Sequence, residues 1–357
     1  MTEQIINQLP SITWRHLHVN QAAEAAALPD IPAFGWGESS SQIGALPQGT
    51  AVIPQADPSL CGLTSGAGES FDTFTRENAN FQLHLTQEGA ADAPLLVEHI
   101  IDKDHPHVIS HLTIHAGAGS RLTVVEVVRG DAPAGVHAGL TQVLAEESAS
   151  VTLIQLQLLG NQSRSWVSVA AQCRAGAGTT LYRASLGGSL SLAGSKANLS
   201  GKRSRYSVQS IYYGDADALL DFSDVAEHTG RETRSELHAA GVLAGQCQKT
   251  LRGTIDFRRG AVHGVGHESE DVLLLDHGVR NRSVPLILCG EEQVEGQHAA
   301  TVGRLDENVL YYMASRGISR EEAMRLMVLA KFAPVLDALP PNLQCEVNDF
   351  VERRLGL

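Results

Sequence analysis

From about Asn80 to Leu288, short apolar, β-branched runs recur between corners of Gly, Ala and Ser. The runs HVISHLTIHAGAG, RLTVVEVV, SVTLIQLQLLG, WVSVAAQCRAGAG, TLYRASL and YSVQSIYY carry this texture. β-branched runs bounded by such corners read as strands. Part of the pattern recurs: HAGAGSRLTVVEV, EESASVTLIQL and RAGAGTTLYRAS set Leu122, Val151 and Leu181 apart by 29 and 30 residues, with a looser echo near Tyr206. Such recurrence marks stacked units, each too small to bury its own apolar face. Strands that turn at small residues, with no helical pattern between them, predict a β-helix. A β-sandwich or barrel of short strands satisfies the same signals.

The flanks read differently. Gln21–Leu28, QAAEAAAL, is built of helix formers and stops at Pro29, whereas residues 37–68 are rich in Gly, Ser and Pro and read as irregular. Helical periodicity returns after Leu305. Asp306 suits the N-cap of a helix reaching Ser315, with Leu310 and Ala314 on its apolar side, and Gly317 suits the left-handed position after it. Ser319 and Glu322 form a capping box, and Ala323, Leu326, Met327 and Ala330 fall on one face of the helix behind it. Pro334 is expected to kink or end that helix. Pro340 and Pro341 precede a last one with a Leu343, Val347, Phe350 and Val351 stripe. The predicted organisation is a mixed region over 1–79, a β core over 80–295 and a C-terminal helical domain over 296–357.

Composition narrows the function classes. Hydrophobic residues at 43% and charged ones at 19% describe a globular chain. A net charge of -13 opposes non-specific binding to nucleic acid or an anionic membrane, and Lys202, Arg203 and Arg205 read as a solvated strand end. No apolar run approaches the roughly 18 residues of a membrane span. The opening MTEQIINQLPSITW lacks the features of a secretory signal. Cys61, Cys173, Cys247, Cys289 and Cys345 are widely spaced, which predicts neither a disulfide framework nor a self-contained zinc or iron–sulfur site, and an odd count suits a reducing cytoplasm.

Candidate chemistry rests mainly on histidine. The segment from His99 to His115 is the densest cluster: His105 and His107 have ligand spacing, and His111 and His115 share a strand face that suits stacked structural side chains equally well. His263 and His267 flank Gly264 and Gly266, but Ser269 stands where a dinucleotide fingerprint needs its third glycine. Neither a Walker A loop nor a nucleophile elbow is present. No carboxylate pair is identifiable by spacing, as a β-helical carbohydrate-active enzyme would require. His298 lies where the β texture gives way to helices, near Glu295; in isolation, next to Ala299 and Ala300, it reads as a structural residue more readily than as a ligand.

The segments Ser283–Leu288, His298–Gly303, Leu305–Glu307, Leu310–Tyr312 and Ser315–Ile318, with Ala323 and Phe332, follow one another in the order of a known family. On these residues the C-terminal third resembles the SufB/SufD proteins of iron–sulfur cluster assembly, on their SufD branch. Weaker agreement extends back through Gly253–Phe257 and Leu273–Leu275. The resemblance implies a mainly β fold: a right-handed parallel β-helix with a mixed N-terminal region and a C-terminal helical cap. It implies a cytoplasmic, non-catalytic scaffold subunit that pairs with SufB and docks the ABC-type ATPase SufC, with homodimers through β-helix edges as a further option for the isolated chain. By the same token His298 is a candidate ligand of a cluster or iron at the SufB interface, and Leu310, Tyr311, Arg316, Met324, Met327 and Phe332 are candidate partner contacts. Two departures matter. Gly296 stands where many SufD sequences carry cysteine, and Ala299 and Glu270 replace the glutamate and cysteine of SufB. The resemblance therefore implies a cluster shared transiently with SufB and none bound alone; a self-sufficient SufB-like scaffold is the alternative.

Overall fold

The structure is a computed structural model that describes residues 5–13, 15–23, 26–33, 35–60 and 62–356. Strands in chain order are β1 (Ser40–Ile43), β2 (Thr50–Val52), β3 (Phe81–Gln87), β4 (Leu95–Ile101), β5 (His107–Ala116), β6 (Arg121–Gly130), β7 (Val136–Ala145), β8 (Ser150–Leu159) and β9 (Arg164–Cys173). They continue as β10 (Gly178–Ser185), β11 (Leu190–Leu199), β12 (Arg205–Gly214), β13 (Leu219–His228), β14 (Arg234–Leu243), β15 (Gln248–Phe257), β16 (Val265–Leu274), β17 (Arg280–Cys289) and β18 (Glu295–Arg304). The helices are α1 (Glu69–Asn78), α2 (Glu307–Ser315), α3 (Arg320–Leu336) and α4 (Pro341–Leu355).

Successive strands from β3 onward alternate between two sheets, so the chain winds as a β-solenoid of about eight turns. One sheet has the order β1-β4-β6-β8-β10-β12-β14-β16-β18 and the other β17-β15-β13-β11-β9-β7-β5-β3-β2. All neighbours are parallel except β1 with β4 and β2 with β3. This settles the choice left open by the strand texture in favour of the β-helix. Leu122 pairs with Val151 as the recurrence requires. Leu181, however, pairs with Leu153, because the coil from Ser150 to its partner Gly178 is 28 residues long (178 − 150), shorter than the preceding one.

Alternate residues face the space between the sheets, where Leu153, Leu181, Val208 and Leu237 meet Val169, Ala197, Ala226 and Ile255. Both outer faces are also covered. α3 and α4 lie along the first sheet, burying Val328, Phe332, Val335, Val347 and Val351 against Ile154, Leu156, Ile211 and Val242. The N-terminal region covers the second, where Ile6, Ala26, Trp36 and Phe71 pack on Ile109, Leu140 and Trp166. With both faces buried, strands such as Val136–Ala145 have no exposed residue.

Several local expectations change. Gln21–Leu28 contains no α-helix among its described residues (Glu24 and Ala25 lie outside them). Ala26 instead packs on Trp166, whose Nε1 donates to the Ala26 carbonyl at 3.0 Å. Tertiary packing thus overrides propensity. The segment read as irregular contains β1 and β2, and α1 follows it. In α3 the buried face is Ala323, Val328, Phe332, Val335 and Leu336, while Leu326 is 40% exposed, so the stripe read from spacing is only partly the packed one. Pro334 does not end α3, which runs on to Leu336; lacking an N–H, Pro334 leaves the i→i−4 bond to the Ala330 carbonyl unmade two residues before the helix stops. The Asp306 and Ser319 caps form as expected, accepting from the backbone N–H groups of Asn308 and Glu322. Strand structure runs past the boundary expected at 295, to Arg304. Among the described residues no helix is long and apolar enough to cross a membrane.

Arg252 fastens the N-terminal region to the solenoid. Buried at 1% exposure, it donates through Nε to the Val19 carbonyl at 2.6 Å and through Nη2 to the Gln21 carbonyl at 2.7 Å, and it pairs with Asp221 at 2.6 Å. Arg252→Ala leaves Asp221 buried without its cation, a loss of about 3–5 kcal/mol. The expected outcome is faster limited proteolysis near residues 19–21 with a retained solenoid core; an unchanged digest would show that the anchor lies elsewhere.

Candidate functional site

The solenoid ends differ. At the N-terminal end the short antiparallel strands β1 and β2 terminate the sheets, of four and three residues respectively. At the other end β17 and β18 pair on one side only, each over ten residues. Every residue of β18 is exposed. The helices lie along the flank and leave this strand uncovered, so its far edge presents free backbone groups ready to pair.

His298 is the fourth residue of β18, in register with Glu268 of β16. In-register residues of parallel strands project to the same face. The column continues through Leu237, Val208, Leu181 and Leu153, all inside the solenoid. His298 is thus the last rung of an inner column, exposed because nothing stacks above it. Gly296, two residues earlier, faces the same way: a Cβ there would lie 2.9 Å from Ile287 Cγ2, so Ile287 must shift before any side chain fits. A cysteine at 296 would have to displace the Ile287 side chain.

Below the rim lies a belt of charged side chains. Arg183 forms a fork with Asp224 across the two sheets, at 3.0 and 2.7 Å, and Ser195 Oγ donates to the same carboxylate at 2.6 Å. Glu270 accepts from Tyr212 at 2.7 Å and from Lys249 and Ser283. Glu268 differs: its Oε2 is buried without a hydrogen-bond partner. Burial, followed by the charges of Glu270 and Asp224, pushes the Glu268 carboxyl up to about 8. It occupies space left by Gly253, where a Cβ would stand 1.9 Å from Oε1. Sequence reading overlooked Glu268 because alternation alone does not reveal which rung lies beneath His298.

The other sequence candidates scatter. Tyr311 (78% exposed) and Arg316 lie on the surface, and Met324 and Met327 are half-buried. Leu310 and Phe332 are buried at 5% and 0%, so they support the helices from within and do not offer contact surface. Tyr312, Val309 and Leu326 are further exposed large apolar side chains of α2 and α3. The histidine cluster does not converge: His99 bonds to Ser41 and Glu126, His111 to Gln142 at 3.0 Å and His115 to Asp57 at 2.7 Å, while His107 packs edge-on against Trp36. Among the described residues no three His, Cys, Asp or Glu side chains are grouped to hold a metal ion. Cys173 and Cys247 are buried, Cys289 and Cys345 exposed; Cys61 lies outside the described residues.

The raised Glu268 pKa fixes the sign of a pH effect. Between the ordinary value of 4.5 and about 8 the folded chain holds a proton that the unfolded chain has lost, so this contribution to stability is complete below pH 4.5 and disappears as pH rises through 8. Glu268→Gln is expected to remove that part of the alkaline loss. Melting curves from pH 5 to 9 check it: an unchanged difference between the variant and the parent across the range would contradict the assignment.

The family model described as "SUF system FeS cluster assembly, SufBD core domain" matches residues 99–331. Among curated proteins the chain is 23% identical over 282 residues to the iron–sulfur cluster assembly protein SufD of Bacillus subtilis, covering 78% of this chain and 64% of that one. It is 24% identical over 220 residues to an iron–sulfur cluster assembly SufBD family protein of Mycobacterium tuberculosis, 62% of this chain and 26% of the relative, and 22% identical over 306 residues to one of Staphylococcus epidermidis. The chain therefore spans about a quarter of the mycobacterial relative and just under two thirds of the Bacillus one. With a family model covering most of the chain and the solenoid the resemblance implied, the chain belongs to the SufBD family of the SUF iron–sulfur cluster assembly system.

Proposed function

We propose that this chain is a non-catalytic scaffold subunit of a SUF assembly complex, working in the cytoplasm. In this reading β17 and β18 pair with a SufB-like subunit, and exposed side chains of α2 and α3 dock a SufC-like ABC ATPase. The carrying observation is the ten-residue, fully exposed terminal strand with His298 on its inner column. A long open edge with a ligand-capable side chain at its rim suits a site completed from across an interface. The iron–sulfur cluster is cargo held between subunits, with His298 as this chain's ligand. Tyr311, Arg316, Met324 and Met327, with Tyr312 and Leu326, are the docking residues; Leu310 and Phe332 hold the helices in place behind them.

Co-purification with SufB-like and SufC-like proteins tests the assembly, and failure to retain either would end this reading. His298→Ala should leave melting temperature and complex formation unchanged while lowering the cluster formed on the complex several-fold, read by its charge-transfer absorbance. Equal cluster yield would make His298 structural. Because Tyr311 is so exposed, Tyr311→Asp is expected to weaken ATPase capture at least tenfold without moving the melting temperature; undiminished capture would remove α2 from the docking surface.

A further inference from the structure

The inner column that ends at His298 is apolar through Leu153, Leu181, Val208 and Leu237, and changes character only in its last two rungs, Glu268 and His298. Packing does not require the carboxyl at 268. The column below it is filled by aliphatic side chains, and a buried oxygen without a partner costs free energy that a leucine would not. Of the inward carboxylates nearby, Asp224 is held by Arg183 and Ser195, and Glu270 by Lys249, Tyr212 and Ser283. Only Glu268, at 8% exposure, keeps an oxygen unengaged. Gly253, opposite it, leaves room for the carboxyl.

Adjacent strands lie roughly 4.8 Å apart, so an imidazole nitrogen and a carboxylate oxygen from in-register positions on one face can reach a single ion between them. A mixed nitrogen and oxygen pair suits a divalent transition metal such as Fe(II). We propose that Glu268 is the inner ligand of a divalent-cation site at the mouth of the solenoid, with His298 as the outer ligand and the other positions open to water or to a partner. This rests on the reading of His298 as a ligand and adds a second residue, on a different strand. It also gives iron a place on this chain before any cluster is built.

The test is anaerobic titration of the purified full chain with Co(II) as a spectroscopic probe, repeated with Fe(II), in the parent, Glu268→Gln, Gly253→Ala and His298→Ala. Circular dichroism confirms that each variant is folded; Glu268→Gln keeps the side-chain shape and a neutral, hydrogen-bonding head. The expected result is one equivalent bound by the parent, and at least tenfold weaker binding in both Glu268→Gln and His298→Ala, with Gly253→Ala weakened by displacement of the carboxyl. Loss in His298→Ala with full binding in Glu268→Gln overturns the proposal and leaves the histidine reading standing. Full binding in both variants overturns both. Loss in Glu268→Gln alone means that the two residues do not share an ion, and absence of binding by the parent at millimolar Co(II) also overturns the proposal.

Discussion

The parallel backbone ladder governs this molecule. From β5 to β16 each strand's N–H and C=O groups are met by the coils before and after it, so no strand is satisfied by its own local sequence. A ladder of this kind must have two ends, and each end leaves a row of backbone groups unpaired. Two short strands running the opposite way terminate the N-terminal end, a blunt termination. The C-terminal end keeps its full ten-residue width on both sheets. The functional reading follows from this asymmetry, because the open end is where a second chain can continue the ladder.

Stacking in register also decides what the interior holds. A residue fixed on one rung shares its face with a residue on every other rung, so a charge placed inside must be answered from the opposite sheet or from the next coil. Arg183 with Asp224, and Lys249 with Glu270, are answered in this way. Buried pairs of this kind are poor sources of net stability, since desolvation offsets most of their attraction, but leaving one member alone is costly. Glu268 is that exception, and it sits one rung below the exposed rim.

The outer faces explain why strand boundaries were easy to read and helix faces were not. Helices flank one sheet and the N-terminal region flanks the other, so outward positions such as Ile154 and Trp166 are as apolar as inward ones. Alternation is blurred there, and the corners carry the signal. On α3, apolar residues occur around much of the helix; Leu326 and Met327 looked like core by spacing, yet Val328 and Phe332 face the sheet.

The sequence by itself determined the repeating strand texture, the small-residue corners, the capped C-terminal helices and the family resemblance. All are short-range properties: turn geometry, capping hydrogen bonds and local order of residues. His298 was legible as a candidate for the same reason, as one motif in a row. Only the tertiary structure decided that Glu268 stands beneath it, that Ile287 occupies the space a side chain at 296 would need, and that Phe332 is interior while Tyr311 is surface. Coil length varies from turn to turn, so residues 30 apart (298 − 268) become neighbours in one place and partners 28 apart in another. Register is set by the accumulated lengths of the corners and the packing between sheets. No local pattern carries that sum.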